Sequence, residues 1–129
     1  GIKDGSWEES HDNGTLRSKG NYINGIKDGY WEESRDNGTL RSKGYYINGI
    51  KDGNWIKYWE NGKSVHSIIN YKNGKAEGFY MNYFRDGQLI SMGKFKNDKR
   101  EGYWFFHYLS GNIDKEMTGT YKNGKKISD

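Results

Sequence analysis

The chain has 129 residues, a formal net charge of +4, and neither cysteine nor proline. The lack of cysteine excludes a disulfide framework and a thiolate metal site, and no apolar run approaches the roughly 18 residues that cross a bilayer as a helix. Leu, Ile, Val and Phe supply only 21 residues, but Phe, Trp and Tyr supply another large share, 21 rings in all; so many rings and so small a net charge argue for a folded chain rather than a disordered one.

In chain order, residues 1–24 and 25–48 are near-copies that differ only at Ser6/Tyr30, His11/Arg35 and Asn21/Tyr45. Three looser copies follow at 49–73, 74–97 and 98–123, and residues 124–129 begin another. One short unit repeated in this way makes a stacked array in which each unit leans on its neighbours. The array is read as a single repeat domain over 1–129. Its opening inside a turn at Gly1 and its stop at Asp129, just past another turn, are what a piece of a longer protein would show.

Each unit reads G-x-x-[DE]-G-x-aromatic, then a polar stretch to a turn glycine, then a second stretch ending aromatic-x-Asn. Trp7, Trp31, Trp55, Tyr80 and Trp104 hold the first ring position. Tyr22, Tyr46, Tyr71, Phe95 and Tyr121 hold the last. Asn-Gly recurs at 13–14, 24–25, 37–38, 48–49, 61–62, 73–74 and 123–124. This dipeptide tolerates the positive φ of tight hairpin turns, so each unit is predicted to be a two-stranded hairpin. The fold predicted is all-β: an elongated, single-layer antiparallel sheet of successive β-hairpins, roughly ten strands at about 4.8 Å each. The first ring of each unit is expected to line one face against Leu16, Leu40 or Leu89. Rings that bury about 150–250 Å² each can then stand in for a deep aliphatic core.

Searched motif by motif, the chain carries no catalytic signature. Gly62-Lys63-Ser64 ends like a phosphate-binding loop, but Lys57 stands where that loop needs its first glycine. His11, His66 and His107 share no ligand spacing. Glu8-Glu9 and Glu32-Glu33 put adjacent carboxylates on opposite faces of a strand, so neither pair works as an acid and base. Asn13-Gly14-Thr15 and Asn37-Gly38-Thr39 fit a glycosylation sequon and are read as hairpin turns. No cofactor is implied, and the chain reads as a binding protein rather than an enzyme.

The unit G-x-W-x-x-[YSH]-x-x-x-G-x-[LI]-x-x-x-G-x-Y-x-N-G resembles the bacterial variant of the MORN repeat, clearest over Gly29–Gly49 and Gly78–Asn97. The resemblance implies hairpins in series that act in protein–protein contact or, in some members, at phospholipid membranes. Bacterial chains of this kind resemble the YwqK-type group, which is labelled antitoxin or immunity protein. Departures are Ser10 and Ser34 where a Tyr is usual, Ile68 where unit three is expected to carry a glycine, and extra residues near Asp114-Lys115.

The partner expected is another protein, a toxin if the antitoxin label applies. Anionic lipid, and glycan or choline held between rings by cation–π contact, are the alternatives. Self-association through sheet edges or the aromatic face is a further expectation. Nucleic acid is disfavoured: Lys57 beside Trp59 and Arg85 beside Phe84 would serve it, but acids are interleaved with them. Specificity is expected in units three to five; residues 49–73, 74–97 and 98–129 carry +2, +2 and +1 against −1 and 0 for units one and two. After its ring, unit three has Ile56, Lys57, Tyr58 and Trp59; unit four has Met81, Asn82, Tyr83 and Phe84; unit five has Phe105, Phe106, His107 and Tyr108. Trp59, Phe84 and Tyr108 are expected to form one row and Tyr58, Tyr83 and His107 the opposite one. The candidate partner-binding set is Lys57, Tyr58, Trp59, Tyr83, Phe84, Arg85, Phe106, His107 and Tyr108.

Overall fold

The computed structural model describes residues 2–129. They form one 11-stranded antiparallel sheet in which spatial order is chain order. Its strands are β1 (Gly5–Ser10), β2 (Leu16–Ile23), β3 (Ile26–Ser34), β4 (Leu40–Ile47), β5 (Ile50–Tyr58), β6 (Val65–Lys72), β7 (Lys75–Tyr83), β8 (Leu89–Lys96), β9 (Lys99–Phe106), β10 (Gly119–Lys122) and β11 (Lys125–Ser128). The predicted fold class is the one observed. The strand beyond ten, β11, opens a sixth hairpin.

Turns fix the register. At the β2–β3 turn both Asn24 (φ 51) and Gly25 (φ 79) are left-handed, the two-residue geometry whose twist matches paired strands. The β8–β9 turn replaces glycine with Asp98 at φ 68, a conformation costly for a residue with a Cβ. Asp98 is held there by its neighbour: Oδ1 accepts from the Ala76 N–H at 2.6 Å, and its own N–H donates to the Ala76 carbonyl at 3.0 Å. The recurring acid of the unit has a related task. Asp4, Asp28, Glu77 and Glu101 each accept from the turn Asn N–H of the hairpin that follows.

A bulge then sets the packing. Lys19 pairs with Glu32 and Asn21 with Asp28, so Gly29, Tyr30 and Trp31 together stand opposite Gly20. The arch in β3 drops the Trp31 ring onto Gly20. A Cβ built on Gly20 would lie 2.1 Å from that ring, and Gly44 and Gly93 stand in the same relation to Trp55 and Trp104. Each indole N–H donates to the carbonyl just after its glycine, Trp31 to Asn21 at 3.1 Å, Trp55 to Tyr45 at 3.0 Å and Trp104 to Lys94 at 3.0 Å. Tyr22 and Tyr46 flank Trp31 edge-on at 5.1 and 6.2 Å. Trp31 and Trp104 retain 1% exposure, whereas Trp7, with no glycine seat before it in the sheet, retains 38%.

Two expectations are corrected here. The rings rest on glycines and on tyrosine edges, while Leu16, Leu40 and Leu89 pair with Ser10, Ser34 and Tyr83 beyond a register shift near the far loops. In unit three the residue that replaces the seat glycine is Ile69, not Ile68: Ile69 pairs with Trp55 on one side and Tyr80 on the other. Its side chain fills the seat. The bulge accordingly moves, with Glu77, Gly78 and Phe79 opposite Asn70, and the ring that follows is Tyr80, the one first-position ring that is not Trp. Unit five departs as expected near Asp114, where Asp114 Oδ1 accepts from the N–H groups of Glu116 and Met117 to form a compact turn.

Truncating Trp31 to Ala removes a fully buried ring, and urea titration is expected to show a loss of about 3–5 kcal/mol. The Ile69 seat makes a sharper case. Tyr80→Trp alone overpacks the site and is expected to cost about 1–3 kcal/mol, and combining it with Ile69→Gly is expected to recover most of that loss. Additive losses in the double variant would show that seat and ring are uncoupled.

Candidate interaction surface

Strand alternation divides the sheet into two faces with different chemistry. One, the ring face, carries the Trp and Tyr ladder. The protein's own cations stand over it: Lys27 Nζ lies 4.7 Å from the Trp31 ring and 5.2 Å from Tyr46, and Lys51 lies 4.7 Å from Trp55 and 5.3 Å from Tyr71. Lys3 does the same over Trp7 and Tyr22, and Arg100 over Trp104, Phe106 and Tyr121. Burial, ahead of repulsion from Lys57, pulls the Lys51 ammonium below its ordinary pKa.

The opposite face changes character along the array. In units one and two its central row alternates in charge, with Glu8 opposite Lys19, Lys19 opposite Glu32 and Glu32 opposite Lys43. The Lys19 ammonium reaches Glu32 at 3.3 Å. Tyr30 donates to Glu32 at 3.0 Å, and burial, then that hydrogen bond, pushes its hydroxyl up to about 12. In units three to five the same row becomes apolar: Ile56 pairs with Ile68, Ile68 with Met81, Met81 with Met92 and Met92 with Phe105. Phe105 in the row is 40% exposed, and Phe79 and Tyr103 beside it are 61% and 47% exposed. A depression of about 310 Å³ opens among Val65, Ile68 and Tyr83, with Ser64, Asp86 and Gly87 at its rim.

The residues predicted to bind a partner do not form one patch. Tyr58 lies on the opposite face with the Lys43 ammonium 5.8 Å from its ring, and Tyr83 lies there too, its hydroxyl donating to Met81 Sδ at 3.5 Å. Lys57 pairs with Ser42 and Ser67 on the ring face, where Phe106 also stacks on Trp104 at 5.9 Å. Trp59, Phe84 and Tyr108 occupy equivalent loop positions, each N–H bonded across its own loop. They follow His11 and Arg35 in a line along one edge. His11 and Arg35 bond the Ser34 and Tyr58 carbonyls at 2.8 Å, and the Trp59 indole donates to Tyr83 at 3.1 Å. Trp59 is thus an inter-unit tie, with Arg85 5.6 Å above its ring and Arg85 paired to Glu60. His107 is half-buried and bridges to Ile113.

Ile68 and Met92 were not in the candidate set, and Ile56, Met81 and Phe105 entered only as context. The available signal was positional. The residue after the first ring is Glu8 or Glu32 in units one and two but Ile56, Met81 or Phe105 afterwards.

Three stretches, residues 3–24, 27–48 and 51–73, match the family described as MORN repeat variant, just over half of the chain. The chain belongs to the MORN repeat variant family. No curated protein matches it. The matched stretches are units one to three, and the same ring-on-glycine seat recurs beyond them at Gly93 and Trp104. Among the described residues, no group of three or more His, Cys, Asp or Glu could hold a metal ion. Members of this repeat family are scaffolds, and the chain is a non-catalytic repeat module.

His66 offers a titratable probe of the loop edge, its ring 4.5 Å from Trp59. Burial, then the charge of Lys57, holds its pKa below the ordinary 6.5. The sign follows from linkage: a depressed folded pKa leaves stability unaffected above 6.5 and erodes it as pH falls through the folded value. NMR titration of the His66 ring is expected to give a midpoint below 6.5 that Trp59→Ala moves back towards it; an unshifted midpoint in the intact chain would count against this packing.

Proposed function

We propose that this MORN module docks a partner protein on the face opposite its ring ladder, in units three to five, and that it serves as an antitoxin or immunity protein. The observation that carries the reading is the unbroken row from Ile56 through Ile68, Met81 and Met92 to Phe105. An apolar, ring-flanked patch on an otherwise charged sheet has the composition of an interface centre. Within the charged row Lys19 pairs with Glu32 and the Lys43 ammonium stands over Tyr58, whereas the apolar row carries no charged groups of its own. Glycan or choline held between rings is less well supported. In units one, two, three and five that place over the ladder is taken by Lys3, Lys27, Lys51 and Arg100.

The test is co-expression with the product of the neighbouring reading frame, read by complex formation and by relief of growth arrest. Met92→Asp is expected to weaken the complex by about 2 kcal/mol or more, as loss of an interface anchor does. Glu8→Gln is expected to leave it unchanged, and both variants should melt near the parent temperature. A complex that tolerates Met92→Asp but is lost on Lys57→Glu would move the docking surface to the ring face.

A further inference from the structure

The hairpin tips beside the apolar row carry a second feature that the protein-docking reading does not use. Around the Asn-Gly turns of units one and two, Ile23 pairs with Ile26 and Ile47 with Ile50. At the next three tips along that edge both flanking positions are lysine: Lys72 faces Lys75, Lys96 faces Lys99 and Lys122 faces Lys125. Like charges directly opposite each other on paired strands are destabilising, so the isoleucine version is the better one for folding. All six lysines are exposed, and none takes part in an ion pair among the described residues. The acids at the same tips are bound elsewhere. Glu77 accepts from the Asn97 N–H at 2.8 Å, Asp98 from Ala76 at 2.6 Å and Glu101 from Asn123 at 3.2 Å. Between the first two tips a depression of about 300 Å³ is lined by Lys72, Asn73, Lys75, Glu77 and Asn97.

Alternation places these lysines on the face that carries the apolar row. Lys72 follows Ile68 by four residues and Lys96 follows Met92 by four, about 13 Å along a strand. From Ile56 in β5 to Phe105 in β9 the apolar row spans four strand spacings, about 19 Å. An α-helix of about 13 residues has that length, and at about 10–12 Å across, lying on the row, it reaches about 5–6 Å towards the lysines, whose extended side chains span the remainder. Resting on the docking reading above, we infer that the partner is an acidic protein that presents an amphipathic helix, with apolar residues seated on the Ile56–Phe105 row and Glu or Asp along the flank over Lys72, Lys96 and Lys99. A phosphodiester strand would use the lysines but has no use for the Ile and Met row. That row is what favours a polypeptide.

The probe is a labelled synthetic amphipathic peptide of about 18 residues, leucine on one helical face and glutamate on the adjoining flank. A second peptide has every glutamate changed to glutamine. Fluorescence anisotropy against the full chain is expected to show the glutamate peptide binding about tenfold or more tighter than its glutamine counterpart, with affinity falling as salt rises from about 0.05 M to about 0.3 M. Lys96→Glu/Lys99→Glu should weaken it about tenfold, and Met81→Asp by a similar factor, with melting curves confirming that both variants fold. If Met81→Asp weakens binding while the lysine reversal and salt do nothing, the acidic partner is wrong and the docking face stands. If the reversal weakens it while Met81→Asp does nothing, the docking face fails along with the helix. Tighter binding of oligothymidylate or of phosphatidylserine vesicles than of the glutamate peptide would overturn the choice of an acidic protein.

Discussion

The packing of this sheet rests on an indole lying on a glycine of the preceding unit, a contact made in units two, three and five. A lone two-stranded hairpin is marginal in water, and a single-layer sheet has no second layer to cover its side chains. The Gly20–Trp31, Gly44–Trp55 and Gly93–Trp104 seats answer that problem locally. The missing Cβ lets a ring approach the backbone closely enough to be buried against it, and the indole N–H finds a carbonyl one residue further on. Lys27 or Lys51 then closes the ring from above with its stem and charge. The contact joins one unit to the next, so the smallest stable object is a run of units.

Because the ring face is completed by the chain itself, the opposite face is released from the duty of holding the sheet together. Its central row can therefore change from alternating Glu and Lys to Ile, Met and Phe while the ladder behind it continues, with Ile69 and Tyr80 replacing one glycine seat and its indole. The tips behave in the same way, exchanging Ile pairs for Lys pairs while the left-handed Asn is retained, with an acid capping it at Asn97 and Asn123. Folding is assigned to one face and one set of backbone contacts, and recognition is left to the remainder.

The repeat period, the Asn-Gly turns and the phased rings made the sheet and its strand order legible in the residues. Local register was less so, for a physical reason. The bulge at Gly29–Trp31 sets three residues against one and a second shift near Glu33 moves the pairing by a single residue, and a simple alternation count cannot see them. Counting from the turn glycine puts Ile68 in the seat that Ile69 occupies, because the unit three loop closes from Trp59 to Ser64, one residue more than from His11 to Thr15; the shift beside Ser10, Ser34 and Tyr83 takes Leu16, Leu40 and Leu89 away from the seats. Plain alternation divides the candidate site, leaving Tyr58 and Tyr83 on one face and Lys57 and Phe106 on the other, while Trp59 is tied into an edge. Aromatic residues were the natural choice for an interface, but in this fold most of them hold the sheet. The apolar row was legible only as a substitution pattern between units, Glu8 and Glu32 giving way to Ile56, Met81 and Phe105.

The seats also give the array a direction. Each ring leans back on the unit before it, so Trp31 is sealed by β2 while Trp7 has no seat to lean on and stays open. At β9 Phe106 stacks on Trp104, and next to it the Tyr121 hydroxyl donates to the carbonyl of Met117, a residue of the Asp114 turn. An interior unit opens only by breaking contacts on both of its sides. The apolar row runs from β5 to β9, strands that each have a paired neighbour on either side. A platform held on both sides loses little entropy when it binds, so the surface that varies most from unit to unit is carried by strands that are paired throughout.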